Sequence, residues 1–315
     1  MGDPRLQFVA DLSALDADEW VHAVEDLAED HGSFTQLGPH HMAAFLDAGR
    51  TLLVTFEAIP QVRDRADGLP SGFDYARTDG WSVLALLSTG DSWFREELIY
   101  RYIDRLIDDG FFEDFDSVLF FGAGAGGYAA AAYSVASPGA RVLALQPQAT
   151  LDPGIAGWDP RHFRHRSNNF TDRYGYAPDM IDAARHAYIV YCPQQTLDAM
   201  HAALFTRPNV TMLRADGLAD LLPRSFTALR IMDDLMRHAM DGTLTPARFG
   251  ALIKIRKRSP FYLRRLVLRL LDGGHDQLAA MVCRIALARG RNPFFEKHLA
   301  ALDDAPRSLL TEDAG

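Results

Sequence analysis

The run Ser117-Val118-Leu119-Phe120-Phe121-Gly122-Ala123-Gly124-Ala125-Gly126-Gly127-Tyr128-Ala129-Ala130-Ala131 decides the architecture. Its apolar start reads as a strand buried on both faces. Glycines at 122, 124, 126 and 127 then turn the chain, and an alanine-rich helix leaves. Small residues let the turn tighten and let the helix lie close against the sheet.

Short apolar runs of the same kind recur on either side. They are Thr51–Phe56, Trp81–Leu87, Arg141–Leu145, Ala187–Tyr191 and Val210–Leu213. Helices are predicted between them at Trp93–Asp108, Gly127–Ala136, Met180–His186 and Leu197–Phe205, and an irregular excursion rich in Pro, Gly, Asn, Arg and His fills Asp152–Tyr176. Strand–helix alternation makes a three-layer α/β domain with a mainly parallel sheet. Ahead of it, Asp16 or Asp18 caps a predicted helix with apolar positions at Trp20, Val21, Val24 and Leu27, broken at His31-Gly32. His41–Leu46 reads as a second short helix, with His40-His41 at its start as exposed or capping residues. After Pro223 only helices are predicted: Ser225–Ala239, Pro246–Lys257, Tyr262–Leu271, Asp276–Ala288 and Pro293–Leu302, the last two spaced like a tetratricopeptide pair. The expected division is a helical lead at 1–50, an α/β domain at 51–222, a basic helical domain at 223–302 and a frayed tail at 303–315.

The chain has 315 residues, 48% hydrophobic and 23% charged, which are ordinary globular values. No apolar stretch is long enough to span a bilayer, and Met1-Gly2-Asp3-Pro4-Arg5 does not open a signal peptide. Two distant cysteines, Cys192 and Cys283, exclude a disulfide framework and a cysteine-rich metal site. These features lead us to expect a cytoplasmic protein without membrane partner or metal.

The glycine turn admits three readings. Gly122, Gly124 and Gly127 fit G-x-G-x-x-G, and backbone N–H groups at a helix N-terminus can hold a pyrophosphate. A dinucleotide site also wants a carboxylate about 20 residues on. The next strand instead ends Leu145-Gln146-Pro147-Gln148. In the second reading, Gly122-Ala123-Gly124-Ala125-Gly126 resembles the G-x-S-x-G nucleophile elbow of α/β-hydrolases, with Gly127-Tyr128-Ala129 following as in bacterial esterase-like relatives. Asp91-Ser92-Trp93-Phe94 and Gln146-Pro147-Gln148 extend the resemblance, which covers roughly residues 51–222. It implies a nucleophile at 124, an acid near Cys192-Pro193-Gln194 and a histidine near 218. Gly124 has no side chain, that loop has no carboxylate, and 218 is leucine. A Ser–His–Asp hydrolase is therefore not expected. The third reading is a bare structural turn.

The resemblance implies a degenerate α/β-hydrolase-like protein: a non-hydrolytic binding or regulatory chain using a vestigial crevice. Its candidate residues are Gly122, Gly124, Ala125, Gly126, Tyr128, Trp93, Gln146 and Cys192, with the Ala125 N–H aimed at a former oxyanion hole. Ligand and cofactor stay unassigned, and the partner is a small molecule or an acidic protein. The alternative is a transferase or reductase holding a nucleotide-like or anionic substrate at the turn. The S-G-G-x-D-S loop and E-C-G-L-H segment shared by phosphoadenosine-phosphosulfate reductases are both missing.

Other candidates read blandly. Asp198 and His201 lie one helical turn apart, as a surface ion pair or as a carboxylate orienting a base. His162, His165 and His186 lie in or near the excursion beside Arg161, Arg164 and Arg166, which suits an anion better than a metal. Asp172 and Arg173 read as turn charges, and Cys192 as a buried thiol.

Charge is unevenly distributed. The whole chain carries 32 − 42 = −10, whereas residues 223–301 carry 15 − 6 = +9, leaving 17 − 36 = −19 elsewhere. The basic part, with Lys254, Arg256, Lys257 and Arg258, is expected to dock on the acidic remainder or on an acidic partner. Fluorescence anisotropy at physiological salt should accordingly show no binding to mixed-sequence DNA or RNA. Affinity tighter than about 1 µM, weakened by charge reversal at Arg256 and Lys257, would overturn that assignment.

Overall fold

The computed structural model describes residues 5–90, 92–218 and 222–304. Strands β1 (Gly32–Gln36), β2 (His41–Leu46), β3 (Thr51–Ala58), β4 (Ser82–Ser88), β5 (Ser117–Ala123), β6 (Arg141–Leu145), β7 (His186–Tyr191) and β8 (Val210–Arg214) form one sheet. Its order is β1-β2-β4-β3-β5-β6-β7-β8. The β1–β2 and β2–β4 pairings are antiparallel and the others parallel. Among the described residues, the helices of eight or more residues are α1 (Ala17–His31), α2 (Glu97–Asp108), α3 (Ala125–Tyr133), α4 (Thr196–Leu204), α5 (Met232–Met240), α6 (Pro246–Ile253), α7 (Pro260–Asp272), α8 (Asp276–Leu287) and α9 (Pro293–Asp304).

The near-continuous apolar strands follow from burial on both faces. Leu53, Val83, Leu119, Leu143 and Val190 point into one core with Trp20 and Val24 of α1, Leu235 and Met236 of α5, and Phe249 of α6. Their neighbours Leu52, Leu84, Phe120, Val142 and Ile189 point into the other, with Ile99 and Ile103 of α2 and Tyr128–Tyr133 of α3. Helices α7–α9 close a separate small core around Leu263, Val267, Cys283 and Phe295. Asp16 caps α1 as expected, its side chain accepting from Asp18 and Glu19 N–H groups.

Several sequence readings need correction. His41–Leu46 is a strand, second from the sheet edge, not a helix, and His41 is fully buried. A six-residue apolar run carries too little periodicity to separate the two, and pairing with β4 decides it. The helix expected from Trp93 starts at Glu97, because Trp93 and Phe94 take positive φ (52° and 54°). The span 180–186 is a short helix and a 3₁₀ turn followed by β7 from His186. Arg230, at φ 56°, splits the helix expected over 225–239 into Leu222–Ala228 and α5. Helix α6 gives way after Ile253 to a 3₁₀ segment, Lys254–Arg258. The tail expected over 303–315 starts too early, since α9 runs to Asp304, and the rest of it lies outside the described residues.

Basic and acidic parts do meet. Arg237 of α5 makes two bonds, 2.7 and 3.0 Å, to the Asp79 carboxylate, and Tyr75 donates to Asp233 at 3.1 Å. In the basic 3₁₀ segment Arg256 lies over the Tyr262 ring, whereas Lys254, Lys257 and Arg258 are exposed.

Strand β5 and helix α3 touch backbone to backbone. A Cβ on Gly122 would sit 2.1 Å from the Gly126 carbonyl oxygen, and one on Gly126 would sit 2.2 Å from the Phe56 carbonyl oxygen. A Cβ on Gly124 would meet nothing within 4 Å. Gly126→Ala should therefore cost about 3 kcal/mol or more in urea unfolding. Gly124→Ala should cost only the strain of a positive φ, about 1–2 kcal/mol. Equal losses at the two positions would contradict this packing.

Candidate functional site

Parallel α/β sheets bind ligands outside the carboxyl ends of their strands. Here that edge is formed by Ala58, Ser88, Ala123, Leu145, Tyr191 and Arg214. At its centre Gly124 links β5 to α3 with φ 55° and ψ −119°. That conformation is essentially restricted to glycine unless surrounding structure enforces it. The Gly124 N–H donates to Leu145 O at 2.9 Å, and Gly124 O accepts from Tyr128 N at 2.9 Å. Gly124 and Ala125 remain partly exposed, while Gly122 and Gly126 are buried beneath them.

The other candidate residues occupy different layers. Gln146 follows β6 with φ 50°; its Nε2 donates to Asp198 at 2.7 Å and its Oε1 accepts from Leu222 N at 2.8 Å. Trp93 is buried, its Nε1 donating to Gln148 at 3.3 Å, with the His162 and His165 rings 4.7 and 4.8 Å away. Cys192 is a buried thiol directed at Gln194 Oε1, 3.1 Å away. Tyr128 is turned away from the turn's open side. Its hydroxyl lies 2.8 and 3.0 Å from the carbonyl oxygens of Tyr174 and Gly175, and burial pushes it well above the usual phenol range.

The loops where the resemblance implies an acid and a histidine are filled otherwise. Gln194 accepts from Gly217 N at 2.8 Å and donates to Asp216 at 3.2 Å, tying the loop after β7 to that after β8. Leu218 is buried in the apolar core.

Two polar clusters flank the turn. In the first, Asp198 and His201 are buried, not a surface pair, because the excursion folds over them. The Ala149 N–H reaches His201 Nδ1 at 3.2 Å, which places the ring proton on Nε2, 3.0 Å from Asp159. Arg161 bonds both carboxylates, Asp159 at 2.8 Å and Asp198 at 2.6 Å. Burial alone would raise the Asp159 carboxyl, but its bonds from Arg161 and His201 outweigh that and hold it well below the usual range. Burial pushes His201 down, against the pull of Asp159. The Asp198–His201 spacing was visible in the sequence, whereas the partners come from about forty residues away.

The second cluster went unrecognised in the sequence. His41 Nε2 lies 2.7 Å from Ser92 Oγ, and its Nδ1, with no closer hydrogen bond, faces Glu96 Oε2 at 3.4 Å. Ser88 Oγ is 3.0 Å from Ser92 Oγ, which also accepts from Phe94 N at 3.1 Å. Burial pushes His41 below the ordinary imidazole range, while Glu96 pulls it back and His40 adds to the lowering. The strained pair Trp93-Phe94 directly after Ser92 is the kind of local signal that clusters at functional sites. Among the described residues no three His, Cys, Asp or Glu side chains converge as a metal site.

No protein-family model matches the chain, and no curated protein does. Among solved structures it is similar to a glycosylation-associated protein complex from Streptococcus agalactiae, at 13% identity and TM-score 0.44, over 64% of this chain and 45% of that one. It is also similar to carboxyl esterase 2 of Tuber melanosporum (13%, TM-score 0.44, 67% and 84% of the two chains). A third is the esterase domain of a Rhodothermus marinus protein (15%, TM-score 0.43, 65% and 94%). At these scores the likenesses carry no argument about chemistry. The class stands on the sheet and its flanking layers: a mainly parallel, α/β-hydrolase-like fold with added C-terminal helices. No helix of the described residues is long and apolar enough to cross a membrane.

Arg161→Met should leave two buried carboxylates without their shared cation and cost about 3 kcal/mol at neutral pH. Asp159 titrates lower in the folded chain than in the unfolded one. Its contribution is therefore present above about pH 3.9 and is lost as pH falls through the folded value. Urea midpoints across this range should converge for wild type and variant in acid. A gap that persists undiminished there would assign the loss to packing instead.

Proposed function

We propose that this chain is a binding or regulatory protein whose vestigial crevice, at the carboxyl ends of β5, β6 and β7, holds a ligand without forming an acyl-enzyme at position 124. One observation carries the reading: the elbow-like turn keeps its strained shape and flanking glycines, yet position 124 has open space and no side chain. A turn needed only to join a strand to a helix does not require that space. In this reading Gly124 and Ala125 face the ligand, Gly122 and Gly126 set the floor, and Gln146, Trp93, Cys192 and Tyr128 back it. Lone-pair and N–H groups of the turn fix the orientation of a ligand in such a site, and the apolar surroundings supply most of the affinity. The Cys192–Gln194 and Leu218 positions support the loss of elbow chemistry.

A transferase or reductase acting on a nucleotide-like or anionic substrate is the second reading, favoured by the absence of a carboxylate from the first turn of α3. The basic helices beyond residue 223 fit an acidic protein partner in either case.

Native mass spectrometry of the purified protein, followed by thermal-shift screening with NAD, NADP, adenosine phosphates and S-adenosylmethionine, tests the crevice. Gly124→Val fills the open space with a branched side chain and should abolish the bound mass or the thermal shift. A ligand that binds Gly124→Val as tightly as wild type would place binding elsewhere and end this reading. Preference for the phosphate-bearing compounds over S-adenosylmethionine would select the transferase or reductase reading.

A further inference from the structure

Ser92 on the loop after β4, His41 at the start of β2 and Glu96 just before α2 stand in the order a serine nucleophile needs. From this geometry we propose that Ser92 is a nucleophile activated by His41, with Glu96 as the positioning carboxylate, acting on neutral short-chain carboxylic esters. The proposal goes beyond the crevice reading, which assigns no role to Ser92, His41 or Glu96.

Three features carry it. The first is the proton inventory. Ser88 donates its hydroxyl proton to Gly90 O, so the Ser92 proton has two takers, Ser88 Oγ at 3.0 Å and His41 Nε2 at 2.7 Å, and the nearer one is the imidazole. With Nε2 accepting, the ring proton sits on Nδ1, which makes no hydrogen bond and lies 3.4 Å from Glu96 Oε2, close enough for that carboxylate to stabilise the imidazolium by charge. The second is burial. His41 is fully enclosed and kept uncharged near neutral pH, so it is available to take a proton, whereas Ser92 is only partly buried and can be reached. The third is the loop itself. The Phe94 N–H already donates to Ser92 Oγ at 3.1 Å, stabilising negative charge there, and consecutive positive φ angles at Trp93 and Phe94 hold the serine in place.

The step balances without any co-reactant beyond water. His41 Nε2 takes the Ser92 proton as Oγ bonds to the ester carbonyl carbon. The carbon–alkoxy bond then breaks, and the departing alkoxide takes that proton from His41, leaving acyl-Ser92 and an alcohol. Water repeats the sequence on the acyl carbon, releasing the carboxylic acid and restoring the serine hydroxyl. Glu96 and Glu97 at the start of α2 repel anionic acyl groups, which is why the substrate class is neutral.

The test is a fluorophosphonate probe on the full chain, with the adduct counted by intact mass and located by peptide mapping, alongside hydrolysis of p-nitrophenyl acetate. One adduct per chain on Ser92 is expected. Ser92→Ala, a one-atom loss from a partly exposed loop, should remove adduct and turnover while circular dichroism stays unchanged. His41→Gln should slow labelling by roughly 10²-fold or more. Glu96→Gln should slow it too, with Glu96→Asp recovering part of the rate, a rescue that a purely structural role would not show. No adduct under conditions that fully label a control serine hydrolase, or an adduct that survives Ser92→Ala, overturns the proposal. Gly124→Val should leave the Ser92 adduct in place, so loss of crevice binding and loss of labelling report on separate ideas.

Discussion

Everything at the carboxyl edge of this sheet depends on one close approach. Helix α3 begins so near β5 and β3 that the Gly126 backbone fills the volume a Cβ on Gly122 would need, and the Phe56 carbonyl fills that of Gly126. No other residue type fits at either place. Because helix and sheet meet at backbone distance, the linking residue Gly124 is forced into a conformation with positive φ and strongly negative ψ. The direction in which a side chain at 124 would project is set by that contact. So is the position of the first turn of α3 relative to β6.

The irregular excursion over residues 152–176 is held down by polar anchors as well as by the buried Phe170 and Tyr174. Arg95 is buried and donates to the carbonyl oxygens of Asn169 and Arg173, both at 2.8 Å, with its guanidinium over the Tyr100 ring. Tyr128 reaches the carbonyls of Tyr174 and Gly175, and Asp159 and Arg161 close over Asp198 and His201. A segment this irregular cannot satisfy its own carbonyls, so long side chains from the scaffold do it. The cost is specificity of position: each anchor fixes one point of the loop, and removing one frees a buried charge or carbonyl.

Most of the scaffold was legible in the sequence. Six of the eight strands announce themselves as apolar runs because both faces of a parallel sheet are covered, and Asp16 marks a helix start by its side chain. What was not legible depends on distant neighbours. His41–Leu46 is an apolar run too short to show a period, and only its pairing with β4 makes it a strand and buries its histidine. Asp198 and His201 have the spacing of a solvated pair, yet the excursion that covers them is read from sequence only as loop. Gly124 and its neighbours stand out through their pattern, while Ser92 reads only as part of a motif because His41 lies 51 residues upstream in a run taken for a helix.

The small core of α7–α9 has a consequence for how the chain comes apart. Among the described residues its buried members number six: Leu263, Val267, Ala279, Cys283, Ala286 and Phe295. Tyr262, with Arg256 over its ring, is packed against both this cluster and the sheet's core. So few apolar residues bury far less surface than the sheet and its two layers, and exposing them raises the heat capacity correspondingly less. The helices can therefore open as a sub-global unit while the sheet remains intact. A melting curve of the whole chain is then the sum of a shallow early transition and a steep later one. No single midpoint describes the stability of both parts.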